Sequence, residues 1–352
     1  MKVLITGSAG LVGSAAVEFY CSQENMKVYG VDNNMRSTFF GPDGDVSWNI
    51  MRLINKYQNY LHKAADITNK VKMRNFFQKF GPFDLILHCA AQPSHDWAAQ
   101  NPRVDFNVNA YGTFNMLEML REYSKDAVFI FTSTNKVYGD TPNFLPLIEE
   151  ETRWEIDKTH RYFNGIDESM SIDNSKHSIF GVSKVSADIM TQEYGKYFGL
   201  KTTTLRGGCL TGPNHSSAQL HGFLNYLAKC VLFDREFNIF GYKGKQVRDN
   251  IHSNDVVKAF DEVFKKPRCG EVYNIGGTRF SNISLIEAVK KIEVLSGKDA
   301  KLKYINTPRI GDHQWYISDM SKFFSHYPHY KLTYNIDMIL KDIVDGLMRG
   351  VK

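Results

Sequence analysis

No stretch of this chain comes near the roughly 20 uncharged apolar residues that a membrane-crossing helix needs. That excludes a helical membrane protein. The first residues enter a strand pattern directly, without the basic and apolar regions of a leader, so a cytoplasmic location is the expectation. Cysteine is sparse: Cys21, Cys89, Cys209, Cys230 and Cys269 are odd in number and scattered, with no Cys-x-x-Cys. Neither a disulfide framework nor a zinc site is expected, and no metal is called for. Strong charge of either sign is missing too. A formal charge of +5 with acids and bases interspersed gives no footprint for nucleic acid and suits an anionic small molecule as well as any other partner. Internal repeats, low-complexity tracts and long linkers are absent, which favours a compact body throughout.

What is present points to an α/β protein. At 352 residues and 43% hydrophobic content the chain can bury a large core, as one big unit or two coupled domains. Its first half alternates β-branched runs at 2–6, 27–32, 60–66, 84–90, 127–133 and 201–207 with amphipathic stretches near 11–22, 68–80, 103–124 and 178–199. That alternation predicts a Rossmann-type, doubly wound parallel sheet with helices on both faces. The tail mixes helical patterns (218–233, 253–265, 282–297, 335–350) with short strands (237–241, 247–251, 271–275, 301–305), which reads as a smaller C-terminal α/β lobe. The expected division is 1–207 for the sheet and 208–352 for the lobe, with segments around 245–280 returning to the sheet.

"TGSAGLVG" carries Gly7, Gly10 and Gly13 directly after the first strand and opens a helix. Glycines there let the backbone turn tightly and approach a pyrophosphate, while the helix N-terminus offers unpaired N–H groups. Strand two ends at Asp32, 19 residues beyond Gly13, where a carboxylate can accept both ribose hydroxyls of an adenosine. Strand, loop, helix and acid in this order predict a dinucleotide site, with Leu11, Val12, Asn33 and Asn34 beside it. Asp32 would repel a 2′-phosphate and favours NAD over NADP, although Arg36 nearby could accommodate that phosphate.

A second motif is "SIFGVSK", 178–184, on a helical pattern that sets Phe180 and Lys184 on one face a turn apart. Together with "ADI" (65–67), "HCAAQ" (88–92), "NVNAYGTFNMLE" (107–118), "STNKVYGD" (133–140), "GKQVRDNIHSNDVV" (244–257), "VYNIGG" (272–277) and "RIGDHQWYISD" (309–319), it makes the chain resemble the extended short-chain dehydrogenases that remodel nucleotide-activated sugars. The likeness spans nearly the whole chain. Within that family "STNKVYGD", the "DES" at 167–169 and "GKQVRDNIH" are most similar to the CDP-paratose 2-epimerase group.

The resemblance implies tightly bound NAD, a nucleotide-diphospho-sugar substrate with a CDP-sugar favoured, transient oxidation of one sugar carbon followed by epimerisation, and a homodimer. It also implies residue roles. Asp66 and Ile67 would flank the adenine, while Cys89, Ala90, Ala91, Gln92, Asn109 and Ser133 would lie along the cofactor. Thr134 would hydrogen-bond the sugar hydroxyl being oxidised, and Lys184 would hold the nicotinamide ribose. Ser94, His95, Asp96 and Asn135 would face the sugar. Arg248 and Arg309 would grip the diphosphate and the nucleotide ribose, a task suited to guanidinium forks; Cys209 stands at the place of a residue that touches the diphosphate, and the strand 237–241, with Phe240, would edge the base.

The chain departs from the family at Phe180, which holds the place of the catalytic tyrosine. Phenylalanine has nearly the same volume but no ionisable atom, and losing a general base typically costs about 10²–10⁴ in rate. Lys136, Asp96, Cys209, His88, His95 and His177 are the candidates for a substitute, with Lys136 of particular interest because dehydratases carry an acid there. Cys209 marks a second departure, replacing an asparagine. The long stretch 150–177 is expected to cover the sugar pocket as a partial lid. A dehydratase or decarboxylase on the same scaffold, or a silent NAD and nucleotide-sugar binder, are the alternative readings.

Overall fold

The computed structural model describes residues 1–219 and 221–350. Strands β1 (Lys2–Thr6), β2 (Lys27–Val31), β3 (Tyr60–Lys63), β4 (Leu85–His88) and β5 (Val128–Thr134) alternate with helices. A hairpin of β6 (Leu147–Glu149) and β7 (Trp154–Ile156) precedes β8 (Thr202–Gly207) and β9 (Cys209–Thr211). Then come β10 (Glu236–Phe240), β11 (Val247–His252), β12 (Glu271–Ile275), β13 (Asn282–Ser284), β14 (Lys301–Ile305) and β15 (Trp315–Tyr316).

Seven strands form a parallel sheet in the order β12-β8-β5-β4-β1-β2-β3. This is the doubly wound Rossmann arrangement that the alternating pattern predicts, and the strand order reverses at β1, where ligands of such sheets bind. Side chains alternate across the sheet with period two. Val3, Ile5, Leu85, Leu87, Val128 and Ile130 pack with helices Leu11–Cys21 and Ser253–Lys265 on one face. Leu4, Ile86, Phe129 and Phe131 pack on the other face with helices Lys70–Phe80, Gly112–Tyr123 and Ile179–Phe198.

A smaller sheet joins β13, β11 and β15, with β9 also on β11. Beside it, helices Phe223–Leu232, Leu285–Ser296 and Ile336–Met348 close a separate core with Phe237 and Ile239 of β10, which pairs in parallel with β14. No helix among the described residues is long and apolar enough to cross a membrane.

Several expected elements are shorter or differently placed. β3 stops at Lys63, because the Asp66 carboxylate turns the chain by accepting from the Thr68 N–H (2.8 Å) and hydroxyl (2.7 Å). The helix expected at 282–297 begins at Leu285: Asn282–Ser284 is strand β13, and Ser284 and Glu287 form a capping box. The helix pattern of 103–124 is interrupted by a π-turn at Asn107–Tyr111. Helix Ser47–Lys56 went unpredicted, since one of its two buried side chains is polar: Asn49 donates to the Ala9 carbonyl at 2.8 Å. Stretch 150–177 is not a lid. None of its residues lines the large crevice described below, and Ile156, Ile166 and Met170 pack instead with Tyr138, Trp315 and Tyr316.

Candidate active site

The carboxyl ends of β1, β2, β4, β5 and β8 open into a crevice of about 430 Å³ that continues into the C-terminal lobe. Its floor needs glycine. Gly7 has φ +66°, and a Cβ there would lie 2.7 Å from the Ala90 nitrogen. A Cβ on Gly13 would lie 2.0 Å from the Gly7 carbonyl oxygen. Gly10 begins helix Leu11–Cys21 without a side-chain cap, so the helix end is left to an anion. At the end of β2 the Asp32 carboxylate is braced by N–H groups of Ala9 (3.0 Å) and Asn34 (2.8 Å).

Leu11, Val12, Asn33, Asp66, Ile67, Cys89, Ala90 and Ala91 line the same end. Arg36 lines it too, but its guanidinium donates to the Ser216 carbonyl at 2.6 Å and lies 4.9 Å over the Phe40 ring. Asn34, Gln92, Ser94, Asn109 and Asp96 do not line the crevice. Asn34 pins the next loop by donating to Asp45 and accepting from the Val46 N–H. Asn109 accepts from the Gln92 N–H (2.9 Å) and reaches the Gln92 carbonyl, Asp105 and Ser183 within 3.1 Å, which ties the turn after β4 to helix Ile179–Phe198. Ser94 caps the short helix His95–Gln100.

Midway along the crevice, Thr134, Asn135 and Lys136 leave β5, and Phe180 and Lys184 arrive from helix Ile179–Phe198. The Thr134 hydroxyl accepts from the Lys136 N–H at 3.2 Å, which caps the turn. The Ser133 hydroxyl donates to Asp188 at 2.6 Å, and Asp188 pairs with Arg206 at 2.9 Å beneath the site. Lys184 donates to the Thr132 carbonyl at 2.8 Å and sits 4.2 Å over the Phe131 ring. Phe180 is buried against the His95 ring, with centroids 4.7 Å apart.

Proton affinity sorts the substitute candidates. Burial pulls the Lys136 ammonium down to about 8, against the pull of Asp312, and pulls Lys184 down to about 8 as well. Burial drives His95 and His88 to about 3, and His88 is sealed between Thr6 and Thr113, off the crevice. The Cys209 thiol is pushed up to about 11 by burial. His177 does not line the crevice. Lys136 is therefore the sequence candidate that both lines the site and exchanges its proton near neutrality.

Farther along, Cys209, Phe240, Arg248 and Arg309 line the crevice. Each arginine meets a carboxylate: Arg248 with Asp312 at 2.5 Å and Arg309 with Asp96 at 2.7 Å. Asp312, His215, His221, Asn238 and Gln246 line it without having been singled out from the sequence. Asp312 had a signal, an acid three places after an arginine already in view; the histidines, in a loop without periodicity, had none.

A loop no side chain can fill, an acid braced at the end of the second strand and a lysine at the far end fit a dinucleotide. Residues 3–276 match the NAD dependent epimerase/dehydratase family. The chain belongs to that family. Its cofactor is NAD, as the glycine loop and Asp32 predict, and it is an enzyme of the nucleotide-sugar epimerase and dehydratase class. It is 32% identical over 332 residues to a CDP-paratose 2-epimerase of Salmonella typhi, covering 92% of both chains. It is 29% identical over 350 residues to a dTDP-glucose 4,6-dehydratase of Escherichia coli, covering 92% of this chain and 87% of that one. Its fold is similar to that of the UDP-glucuronic acid 4-epimerase of Bacillus cereus, solved with UDP-glucuronic acid and NAD, at a TM-score of 0.80, 24% identity and 99% coverage of both chains.

Proposed function

We propose that this enzyme is an epimerase for a CDP-linked sugar, of the CDP-paratose 2-epimerase type, in which Lys136 moves the proton that a tyrosine carries elsewhere in the family. The observation that carries this reading is the crevice itself, with Thr134, Lys136 and Lys184 midway along it and Arg248 and Arg309 farther along. Gly7, Gly10, Gly13, Asp32 and Lys184 would hold NAD, whose chemistry is to take up and return a hydride. Thr134 hydrogen-bonds the sugar hydroxyl, and the neutral amine of Lys136 accepts its proton. Arg248 and Arg309 clamp the diphosphate. Phe180 supplies an apolar wall. Similarity to the CDP-paratose epimerase over 92% of the chain supports the substrate. Against dehydration, Asn135 and Lys136 stand where that subgroup has Asp-Glu.

Residues 1–207 would serve the cofactor and 208–352 the nucleotide-sugar, with β12 completing the cofactor sheet. A homodimer is supported by Ile179, Val182, Ile189, Tyr197 and Phe198, which are exposed along one helix. The test is to incubate the NAD-loaded enzyme with CDP-paratose and follow the sugar by NMR. The 2-epimer is the expected product, and a Lys136→Met variant should lose at least about a hundredfold in turnover. A keto-deoxy sugar with release of water, or unchanged turnover in Lys136→Met, refutes the reading.

A further inference from the structure

We propose that Asp312 is a positioning residue for Lys136: one carboxylate oxygen is shared between the lysine ammonium and the Arg248 guanidinium, and it keeps the amine at the reacting end of the crevice. This rests on the reading of Lys136 as the proton carrier. The Lys136 Nζ donates to the Gly311 carbonyl at 2.9 Å and lies 3.8 Å from the Asp312 oxygen that Arg248 meets at 2.5 Å. Side chains of Lys136, Arg248 and Asp312 are 16%, 9% and 24% exposed, so the three charges are largely withdrawn from water.

The segment that brings Asp312 is itself anchored to the turn after β5. Asn143 donates to the Asp312 carbonyl at 2.9 Å, and the Gln314 N–H donates back to Asn143 at 2.8 Å. His313 reaches the Gly139 carbonyl at 2.8 Å. The lysine and its carboxylate are thus tied together by backbone as well as by charge.

Four groups act on Lys136. Burial lowers its proton affinity most; Asp312 favours its ammonium form, Arg248 and Arg309 oppose it, and the Cys209 thiol, pushed up to about 11 by burial, stays uncharged near neutrality. His95 and His313 are close enough to feel the lysine in turn, and burial keeps both neutral. Asp312 is the carboxylate among the four, and it is held well below the usual carboxylate range: burial opposes this, but Arg248, Lys136 and Arg309 outweigh it. Without Asp312, Lys136 would face the Arg248 guanidinium with no carboxylate between them, while Arg309 keeps Asp96. The lysine amine would lose its proton at lower pH and lose its fixed direction.

The test is the uptake of protons when CDP binds to the NAD-loaded enzyme, measured by calorimetry in buffers of different ionisation enthalpy between pH 7.5 and 9.5. A diphosphate clamped by Arg248 and Arg309 offsets the two positive charges that oppose the Lys136 ammonium, so wild type should take up protons above pH ~8, and Lys136→Met should take up few. Asp312→Asn should shift that uptake to lower pH by about one unit, with Asp312→Glu close to wild type. With CDP-paratose at pH 9.5, where Lys136 is largely neutral with or without its carboxylate, Asp312→Asn should lower kcat more than it raises KM. Lys136→Met behaving as wild type overturns both this inference and the proton-carrier reading. Lys136→Met losing the uptake while Asp312→Asn leaves its pH range unmoved, or changes KM alone, overturns the role of Asp312 and spares that of Lys136. A melting temperature and NAD content near wild type show that each variant is folded, and Asp312→Ala, which also removes the carboxylate, carries the comparison if Asp312→Asn does not fold.

Discussion

Phe180 defines the chemistry by what it cannot do. Its ring lines the crevice against His95 and carries no ionisable atom, and burial leaves His95 a poor base. Lys136, pulled down to about 8 by burial, is neutral in a useful fraction only toward the alkaline side. In the proposed mechanism the neutral amine is the working form, so kcat/KM should rise with pH and level off above about 8, and Lys136→Met should remove that limb from a pH–rate profile. Restoring the phenol is a complementary probe. Phe180→Tyr should leave turnover within about tenfold of wild type if the proposed route through Lys136 holds; a gain of about 10² or more in steady-state kcat would show a disabled tyrosine mechanism instead. Both positions were legible from the sequence because a short motif surrounds each. Asp312 was overlooked: its partners, Lys136 and Arg248, lie 176 and 64 residues away, and no local pattern records that meeting.

At the scale of elements, the glycine loop and helix Ile179–Phe198 set the geometry. Gly13→Ala would press a Cβ against the Gly7 carbonyl, a 2.0 Å approach that the backbone must relieve by moving. Overpacking of this kind costs about 1–3 kcal/mol, and the loop that shifts is the one meant for the pyrophosphate, so the purified variant should carry little NAD when its released nucleotides are counted by absorbance. Helix Ile179–Phe198 is set by a buried pair. Asp188, 1% exposed, takes Arg206, 6% exposed, and the Ser133 hydroxyl just before Thr134. Arg206 in turn reaches the Tyr138 hydroxyl at 3.1 Å. Removing one partner of a buried pair leaves an uncompensated charge, so Asp188→Asn should cost about 3–5 kcal/mol in denaturant unfolding. The helix itself was plain in the sequence. That its inner face carries an ion pair under the strand that ends at Thr134 was not, because Asp188 and Arg206 stand 18 residues apart on a helix and a strand.

The whole molecule joins a parallel sheet to a lobe with its own core, and the crevice exists because chain segments far apart in sequence meet between them. Residues 1–207 alone would lack β12, the edge partner of β8, as well as Arg248, Arg309 and Asp312. Association belongs to this scale too. Ile189 is 46% exposed and Tyr197 76% exposed on helix Ile179–Phe198, the apolar surface through which the proposed homodimer would form. Ile189→Asp should therefore shift the protein from dimer to monomer in sedimentation velocity; a wild type already monomeric at micromolar concentration would count against the homodimer.

Local pattern was enough to determine the parallel sheet, the glycine loop with its acid, and the family, because strand and helix periodicities and short motifs are written in neighbouring residues. Tertiary structure decided that 150–177 packs on the C-terminal sheet rather than along the crevice, that Asn34, Gln92, Ser94, Asp96 and Asn109 brace the site from behind, and that Lys136 has a carboxylate partner. Each of those facts depends on which distant surfaces come into contact, and burial and pairing energies are settled only once they do.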